Sequence, residues 1–415
     1  MAVYDKDKQE WEVPVTSLQS LIPKFCDLDS VDLTLCKEGK LAPTHVYDIE
    51  PLKTTPYQYQ TEGIQYCLNH PNALLLDEPG LGKSLQAIYT AQTLYRMGKI
   101  EHCLIICGVN TLKTNWKREI TKHSDLSCRI LGERTNTKGQ YVIGSVEDRL
   151  DQLNHKIKEF FIITNIETLR NNDIVKAING GKNKLDFIIV DEVHVCKNPQ
   201  SQQGKNLLKL KAKYKLAMTG TLLLNDPMDC YVPLKWIGEE NATYTNYKYY
   251  YCNFGGPFNN IPMGYKHLDV LKDQLQGCSL RRTKDLLDLP PKTIINEIVD
   301  MNDTHRHFYD DIKDGIVSSV DKVHISTANL LAMVGRLRQA TVLPSMLTSL
   351  SVPSSKMERA LQLIEEITTN GSKVVVFSTY KESAEYLYKQ LSHIGALLCT
   401  GNQKDQEIND AIQNF

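Results

Sequence analysis

The chain has 415 residues, too many for one ordinary core and enough for two or three domains. Hydrophobic residues make up 41% and charged residues 23%, a globular balance that excludes extended disorder, and no apolar run approaches the roughly 20 residues of a membrane helix. The net charge of −1 means that whole-chain electrostatics argue for no partner, so any binding of nucleic acid must draw on a local cleft.

Residues 1–50 show no strong period and read as a small N-terminal extension. Their opening, MAVYDKDKQEWEV, is charged from its fifth residue and has no signal-peptide core, which predicts a cytoplasmic location. Short apolar runs then recur: LLLD (74–77), CLIIC (103–107), FFIIT (160–164), DFIIVDE (186–192) and KLAMTG (215–220). Runs apolar on both faces suit parallel strands covered by helices on each side, and their alternation with helical spacing predicts a doubly wound α/β domain over 51–235. Residues 236–350, Tyr-rich at 244–265 and broken at LPPK (289–292), read as helical insertions and a linker. Two more apolar runs, VVVFS (374–378) and ALLCTG (396–401), predict strands of a second α/β domain over 351–415.

The eleven cysteines are scattered singly without CxxC spacing, so neither a zinc site nor a disulfide framework is indicated, and they read as reduced thiols. The stretch KNLLKLKAKYK (205–215) reads as a solvated helix face.

Two segments carry chemistry. LLLDEPGLGKSLQAI (74–88) reads as strand, glycine loop and helix start. Gly80 and Gly82 allow backbone N–H groups to turn inward around phosphate oxygens, and the new helix adds its positive end. Lys83 reaches the β- and γ-phosphates of a nucleotide, and the Ser84 hydroxyl suits Mg²⁺. The loop's remaining members, Asp77, Glu78, Pro79 and Leu81, complete the cradle, although a strict GxxxxGKS/T pattern has glycine where this chain has Asp77. DFIIVDEVHVCKNP (186–199) places Asp191 and Glu192 at the C-terminal end of a strand, where open α/β sheets bind ligands. Asp191 is the second candidate for Mg²⁺, and Glu192 the candidate to polarise the attacking water.

With both motifs placed, the chain resembles the Swi/Snf-type ATPases of helicase superfamily two over residues 55–415. PYQYQTEGI (56–64) is similar to the family segment whose glutamine, here Gln60, reads the adenine edge. LIICGVNTLKTNWKREI (104–120), FIITNIETLR (161–170), DEVH (191–194) and MTGTLLLNDPMD (218–229) resemble its successive motifs. In the last of these Leu222 replaces proline and Leu224 replaces glutamine, which puts a polar role at 224 in doubt. LRRTKDLLDLPPK (280–292) is similar to a stretch that separates the Swi/Snf branch from most other members of the superfamily. YYCNFGGPF (250–258) looks like the annealing-helicase, fork-remodelling subgroup. RLRQATVLP (336–344) and SSKMERALQLIEEI (354–367) resemble the family's linker, and KVVVFSTYKESAEYLYKQL (373–391) the first motif of its second lobe.

The resemblance implies two RecA-like lobes, the second incomplete, with ATP and Mg²⁺ as cofactors and duplex or branched DNA as partner. His194, Thr219, Gly220 and Thr221 would couple nucleotide state to DNA contact. Thr111, Lys113, Asn115, Thr164 and Thr168, just beyond strand ends, would grip DNA phosphates, with helix capping as their alternative reading. Trp116 reads as packing, and the tyrosines of 244–251 as a packed core or a base-stacking face. The family continues into a segment that supplies an arginine finger, worth roughly 10³–10⁵ in rate. The sequence stops at Phe415 before it, so the expectation for the polypeptide as written is nucleotide binding with poor hydrolysis. Three activities remain open: a duplex-DNA translocase, a strand-separating or branch-migrating helicase, and a nucleotide-regulated DNA clamp. The lack of appended chromatin-reading or zinc modules suggests a bacterial or bacteriophage source.

Overall fold

The computed structural model describes residues 3–5, 10–12, 45–108, 112–135, 141–222, 226–256, 261–320, 327–403 and 405–415. The chain divides into two compact units, Met1–Leu289 and Pro290–Phe415. Among the described residues no helix is long and apolar enough to cross a membrane.

In the first unit, β1 (Val3–Asp5) and β2 (Glu10–Glu12) form a small antiparallel pair. The main sheet has seven parallel strands, and each expected run of the first domain lies in it: β3 (Asn72–Leu75), β4 (His102–Cys107), β8 (Phe161–Asn165), β9 (Leu185–Asp191) and β10 (Tyr214–Met218). Two short edge strands complete it, β5 (Cys128–Ile130) and β13 (Ser279–Leu280), in the order β13-β3-β10-β9-β4-β8-β5. A separate hairpin joins β6 (Glu133–Thr135) to β7 (Tyr141–Ile143).

Side chains alternate between two apolar layers, as the period of two in a strand requires. Leu104, Ile106, Ile188 and Val190 face one layer, with helices α4 (Val146–Asn154), α5 (Asn172–Gly180) and α7 (Tyr231–Ile237). Cys103, Ile105, Phe187 and Ile189 face the other, with α1 (Gln58–Asn69), α2 (Lys83–Arg96) and α3 (Leu112–His123). Both faces are thus covered, which is why these strands read as continuous apolar runs. A short helix, α6 (Gln202–Leu207), ends before most of the lysine-rich stretch. That stretch is therefore not one solvated helix face: Lys215 lies in β10, and its ammonium turns inward onto the Trp236 carbonyl at 2.8 Å.

The region expected to be helical after 236 also holds a hairpin. Helix α8 (Tyr244–Tyr251) leads into β11 (Cys252–Gly255), which pairs antiparallel with β12 (Ile261–Tyr265) before α9 (Leu268–Cys278). Tyr247 and Tyr251 are buried and pack with Tyr231 and Tyr244, so this half of the aromatic run is core. Tyr249 and Tyr250 face outward.

The second unit holds α10 (Asp303–Val320), α11 (Thr327–Val342), α12 (Ser355–Thr369), α13 (Lys381–Leu391) and α14 (Asp405–Asn414). Leu343, Met357, Ile364, Leu387 and Leu391 form its apolar cluster. The buried His305 ties three segments: Nε2 bonds to the Ala340 carbonyl at 2.8 Å, and the Ser355 amide donates to Nδ1 at 3.4 Å. The two strands expected at 374–378 and 396–401 are not formed: neither run belongs to a strand. Val375 is 62% and Phe377 92% exposed. An apolar run becomes a strand only when a neighbouring strand pairs with it, and among the described residues no ladder reaches either run.

Candidate nucleotide site

Because all seven strands are parallel, their C-terminal ends share one edge. β3, β10 and β9 are adjacent there, so the phosphate-loop, TGT and acidic segments meet side by side. From β3 the chain runs through Leu76 and the fully buried Asp77 into the loop 78–82. Gly80 (φ +94°) and Gly82 (φ +76°) take left-handed conformations that glycine adopts without a Cβ clash. Gly82 caps the start of α2, and a Cβ there would meet Gln60 Nε2 at 2.3 Å. The Lys83 ammonium folds back over the loop onto the carbonyls of Asp77 (2.7 Å) and Glu78 (3.4 Å). Burial lowers its pKa, and the carboxylates of Glu192, Asp191 and Asp77 oppose that shift. Ser84 follows in the first turn of α2, half-buried; Leu81 is buried, while Pro79 and Gly80 are exposed.

Asp191 ends β9. Its Oδ2 accepts from Trp116 Nε1 at 2.9 Å and its Oδ1 from the Glu192 amide at 3.0 Å. Burial pushes its carboxyl up to about 6, while the Trp116 bond pulls the other way. Glu192 takes a left-handed backbone (φ +52°), an uncommon conformation for a side chain of its size. This turn brings Glu192 Oε2 to the Thr219 hydroxyl (3.1 Å) and to His194 Nδ1 (3.1 Å). With its one proton given to Glu192, the Thr219 hydroxyl accepts from His194 Nδ1 (2.9 Å) and from the Thr221 amide (3.1 Å). Gly220 lets this turn abut the phosphate loop, since a Cβ there would meet Pro79 at 2.7 Å. Glu192, His194 and Thr219 thus form one network between the acidic box and the TGT segment, and the Thr221 backbone closes it.

Gln60 is buried. It accepts from the Tyr57 amide and donates to the Leu81 carbonyl at 3.3 Å, so it braces the phosphate loop from beneath.

The expected DNA-gripping residues need correction. Thr164 and Thr168 are buried, and their hydroxyls are committed internally: Thr164 to Thr168 at 3.0 Å, Thr168 to Asn165 Oδ1 at 2.7 Å, with Arg149 Nη1 donating to Thr168 at 2.8 Å. Lys113 is only 1% exposed. All three side chains are buried, which does not fit residues that grip a surface-bound backbone. Asn115 is partly exposed and accepts from Arg118 at 2.8 Å. Thr111 and Leu224 lie outside the described residues.

Two residues of the site were not expected. Trp116, read as packing, is also the hydrogen-bond donor to Asp191. Arg282, inside the LRR segment, makes an ion pair with Asp77 at 2.5 Å directly beneath the phosphate loop. Asp77 is fully buried, and its carboxylate is taken up by Arg282 and Gln86. Among the described residues no three or more His, Cys, Asp or Glu side chains cluster as a metal site, and burial pushes Cys67, Cys107, Cys196, Cys230 and Cys278 up to about 12.

Residues 59–351 match the SNF2-related domain family. An uncharacterized ATP-dependent helicase of Mycoplasma pneumoniae is 24% identical over 414 residues, covering 95% of this chain and 38% of that protein. Its counterpart in Mycoplasma genitalium is 25% identical, covering 86% of this chain and 34% of that protein. The chromatin-remodeling ATPase INO80 of Aspergillus oryzae is 30% identical over 213 residues, 48% of this chain and 14% of that protein. The chain therefore spans between about a third and two fifths of the two Mycoplasma relatives. Among solved structures, the Sulfolobus solfataricus SWI2/SNF2 ATPase core in complex with dsDNA is 22% identical with a TM-score of 0.49, covering 89% of this chain and 77% of that one.

Proposed function

The chain belongs to the SNF2-related domain family, and on that premise we propose that it is an ATP-dependent motor that moves along duplex DNA and remodels branched or protein-bound DNA. The observation that carries the catalytic half of this reading is the convergence at one sheet edge. Lys83 on the phosphate loop and Asp191 and Glu192 on the acidic box lie close enough for their charges to act on one another. The DNA half is supported by the names of the relatives, an ATP-dependent helicase and a chromatin-remodeling ATPase.

The loop amides and the start of α2 receive the polyphosphate. The Lys83 ammonium exchanges carbonyl partners for phosphate oxygens. Ser84 and Asp191 offer a hydroxyl and a carboxylate, the hard oxygen donors that suit Mg²⁺, and a bound Mg²⁺ would neutralise phosphate charge. Glu192 orients the attacking water and is itself held by Thr219 and His194. The Thr219 hydroxyl is shared by the acidic box and the TGT turn, so a change at the γ-phosphate is felt in both.

The test is phosphate release, by a form that also carries the family's arginine-finger segment, with single-stranded, duplex and forked DNA compared. Stronger stimulation by duplex or forked DNA than by single strands supports the motor. Unwinding of a plain partial duplex would assign a strand-separating helicase instead, and equal rates with and without every DNA would overturn the reading.

A further inference from the structure

We infer that Arg282 is a positioning residue for nucleotide binding: acting through Asp77 it sets the shape and the charge of the floor beneath the phosphate loop. The inference rests on reading residues 77–84 as a nucleotide phosphate site and adds a part of that site supplied from some two hundred residues away in sequence.

The backbone carries the first half of the argument. β13 runs parallel to β3, and the pairing continues past both strands. The Leu76 amide donates to the Leu280 carbonyl at 2.7 Å, the Glu78 amide to the Arg282 carbonyl at 3.0 Å, and the Lys284 amide to Glu78 Oε2 at 2.9 Å. Residues 280–284 therefore form a strap along the first residues of the phosphate loop.

The side chain carries the second half. Arg282 Nε donates to Asp77 Oδ1 at 3.0 Å and Nη2 to Asp77 Oδ2 at 2.5 Å, a two-pronged pair that a lysine cannot reproduce. Nη2 also donates to Gln86 Oε1 at 2.7 Å, Nη1 donates to the Tyr59 carbonyl, and the guanidinium lies over the Tyr59 ring. Gln86 Nε2 in turn donates to Asp77 Oδ2 at 3.1 Å and to the Leu81 carbonyl at 3.4 Å. The network thus reaches both ends of the loop and the second turn of α2. Gly63 makes room for it, because a Cβ there would meet Gln86 Oε1 at 1.9 Å and Arg282 Nη2 at 2.5 Å.

Charge gives the network its consequence. Asp77 has no solvent exposure, and the Arg282 side chain is 11% exposed. A buried carboxylate without its partner is strongly unfavourable, and here it would also repel polyphosphate entering just above. Arg282 leaves that floor neutral and rigid. Nucleotide binding and ordering of the strap are then linked, and the linkage is reciprocal.

The experiment uses the full chain, Mg·ADP as probe, calorimetry for affinity, and amide hydrogen exchange for the strap. Arg282→Gln is expected to weaken Mg·ADP about 10- to 100-fold, less than the full cost of breaking a buried charge pair because most of that cost falls on the fold rather than on the ligand. Arg282→Lys falls between it and the parent. The double variant Asp77→Asn/Arg282→Gln, neutral again, is expected to regain most of the affinity. In the parent, Mg·ADP slows exchange at 280–284 as well as at 78–84; in Arg282→Gln only the loop responds. Parental affinity in Arg282→Gln would overturn the inference and leave the nucleotide reading intact. A loss that the double variant does not relieve, with exchange at 280–284 unresponsive to nucleotide even in the parent, would reduce Arg282 to a stability residue and also overturn it. A parent that binds no Mg·ADP would bring down both.

Discussion

Asp191→Asn is expected to make the nucleotide-free protein more stable while abolishing turnover. The Asp191 carboxyl is held at about 6 instead of its ordinary value of 3.8, chiefly by burial. At about 1.4 kcal/mol per tenfold change in proton affinity, that corresponds to about 3 kcal/mol of ionisation cost carried by the fold at neutral pH. Asp191 keeps some contact with solvent, so about 1–3 kcal/mol is the expected gain once screening is allowed for. Asparagine keeps the shape and carries no charge, but its single oxygen serves only one of the two donors, Trp116 Nε1 or the Glu192 amide, so the lost bond offsets part of that gain while the dependence on pH stays with the charge. The sign follows from a folded-state pKa that is raised: the cost is absent below about pH 4, grows as pH rises, and is complete above about pH 6. Urea unfolding of parent and variant at about pH 7.5 and about pH 5 reads it directly. The gain should be largest at the higher pH and roughly halved at the lower. A variant less stable than the parent at the higher pH, or a gain that does not change with pH, would refute the burial argument.

Trp116→Phe keeps an aromatic ring and removes the donor to Asp191, so urea unfolding should show a loss of about 1.5–3 kcal/mol, the scale of a hydrogen bond to a charged group; a change under about 0.5 kcal/mol contradicts it. Thr219→Val removes the hydroxyl shared by Glu192, His194 and the Thr221 amide, and DNA-stimulated phosphate release should fall by more than about tenfold while nucleotide affinity falls less; equal losses in both would remove the coupling role. Thr168→Val should lower stability by about 1–3 kcal/mol through the groups it leaves unpaired, without altering DNA retention on a filter. Weakened DNA retention with stability intact would restore Thr168 as a surface contact.

The strands of the first unit were legible because each is a short run buried on both faces. The phosphate loop and acidic box were legible because their chemistry is local: glycines, Lys83 and Ser84 in one turn, Asp191 and Glu192 at one strand end. What escaped depends on partners distant in sequence. Arg282 meets Asp77 across 205 residues and Trp116 meets Asp191 across 75, and neither distance leaves a periodic trace. β5 and β13 are three and two residues long, too short to show a pattern. The hairpin β11–β12 is interrupted by glycine and proline within an aromatic stretch that reads as helix. Thr164 and Thr168 follow a strand end, as phosphate-gripping residues do, but their hydroxyls close on each other inside the turn. The runs at 374–378 and 396–401 show the converse case, where apolar composition predicts a strand that pairing does not supply.

The central claim is a nucleotide site built from Lys83, Ser84, Asp191 and Glu192 at the edge of this sheet. Calorimetric titration of the chain with Mg·ATP, with Lys83→Ala titrated beside it, tests that claim most directly. The parent should bind one nucleotide per chain, and Lys83→Ala should bind at least about 100-fold more weakly, the loss of a charge-assisted phosphate contact. No binding by the parent, or equal binding by both, would contradict it.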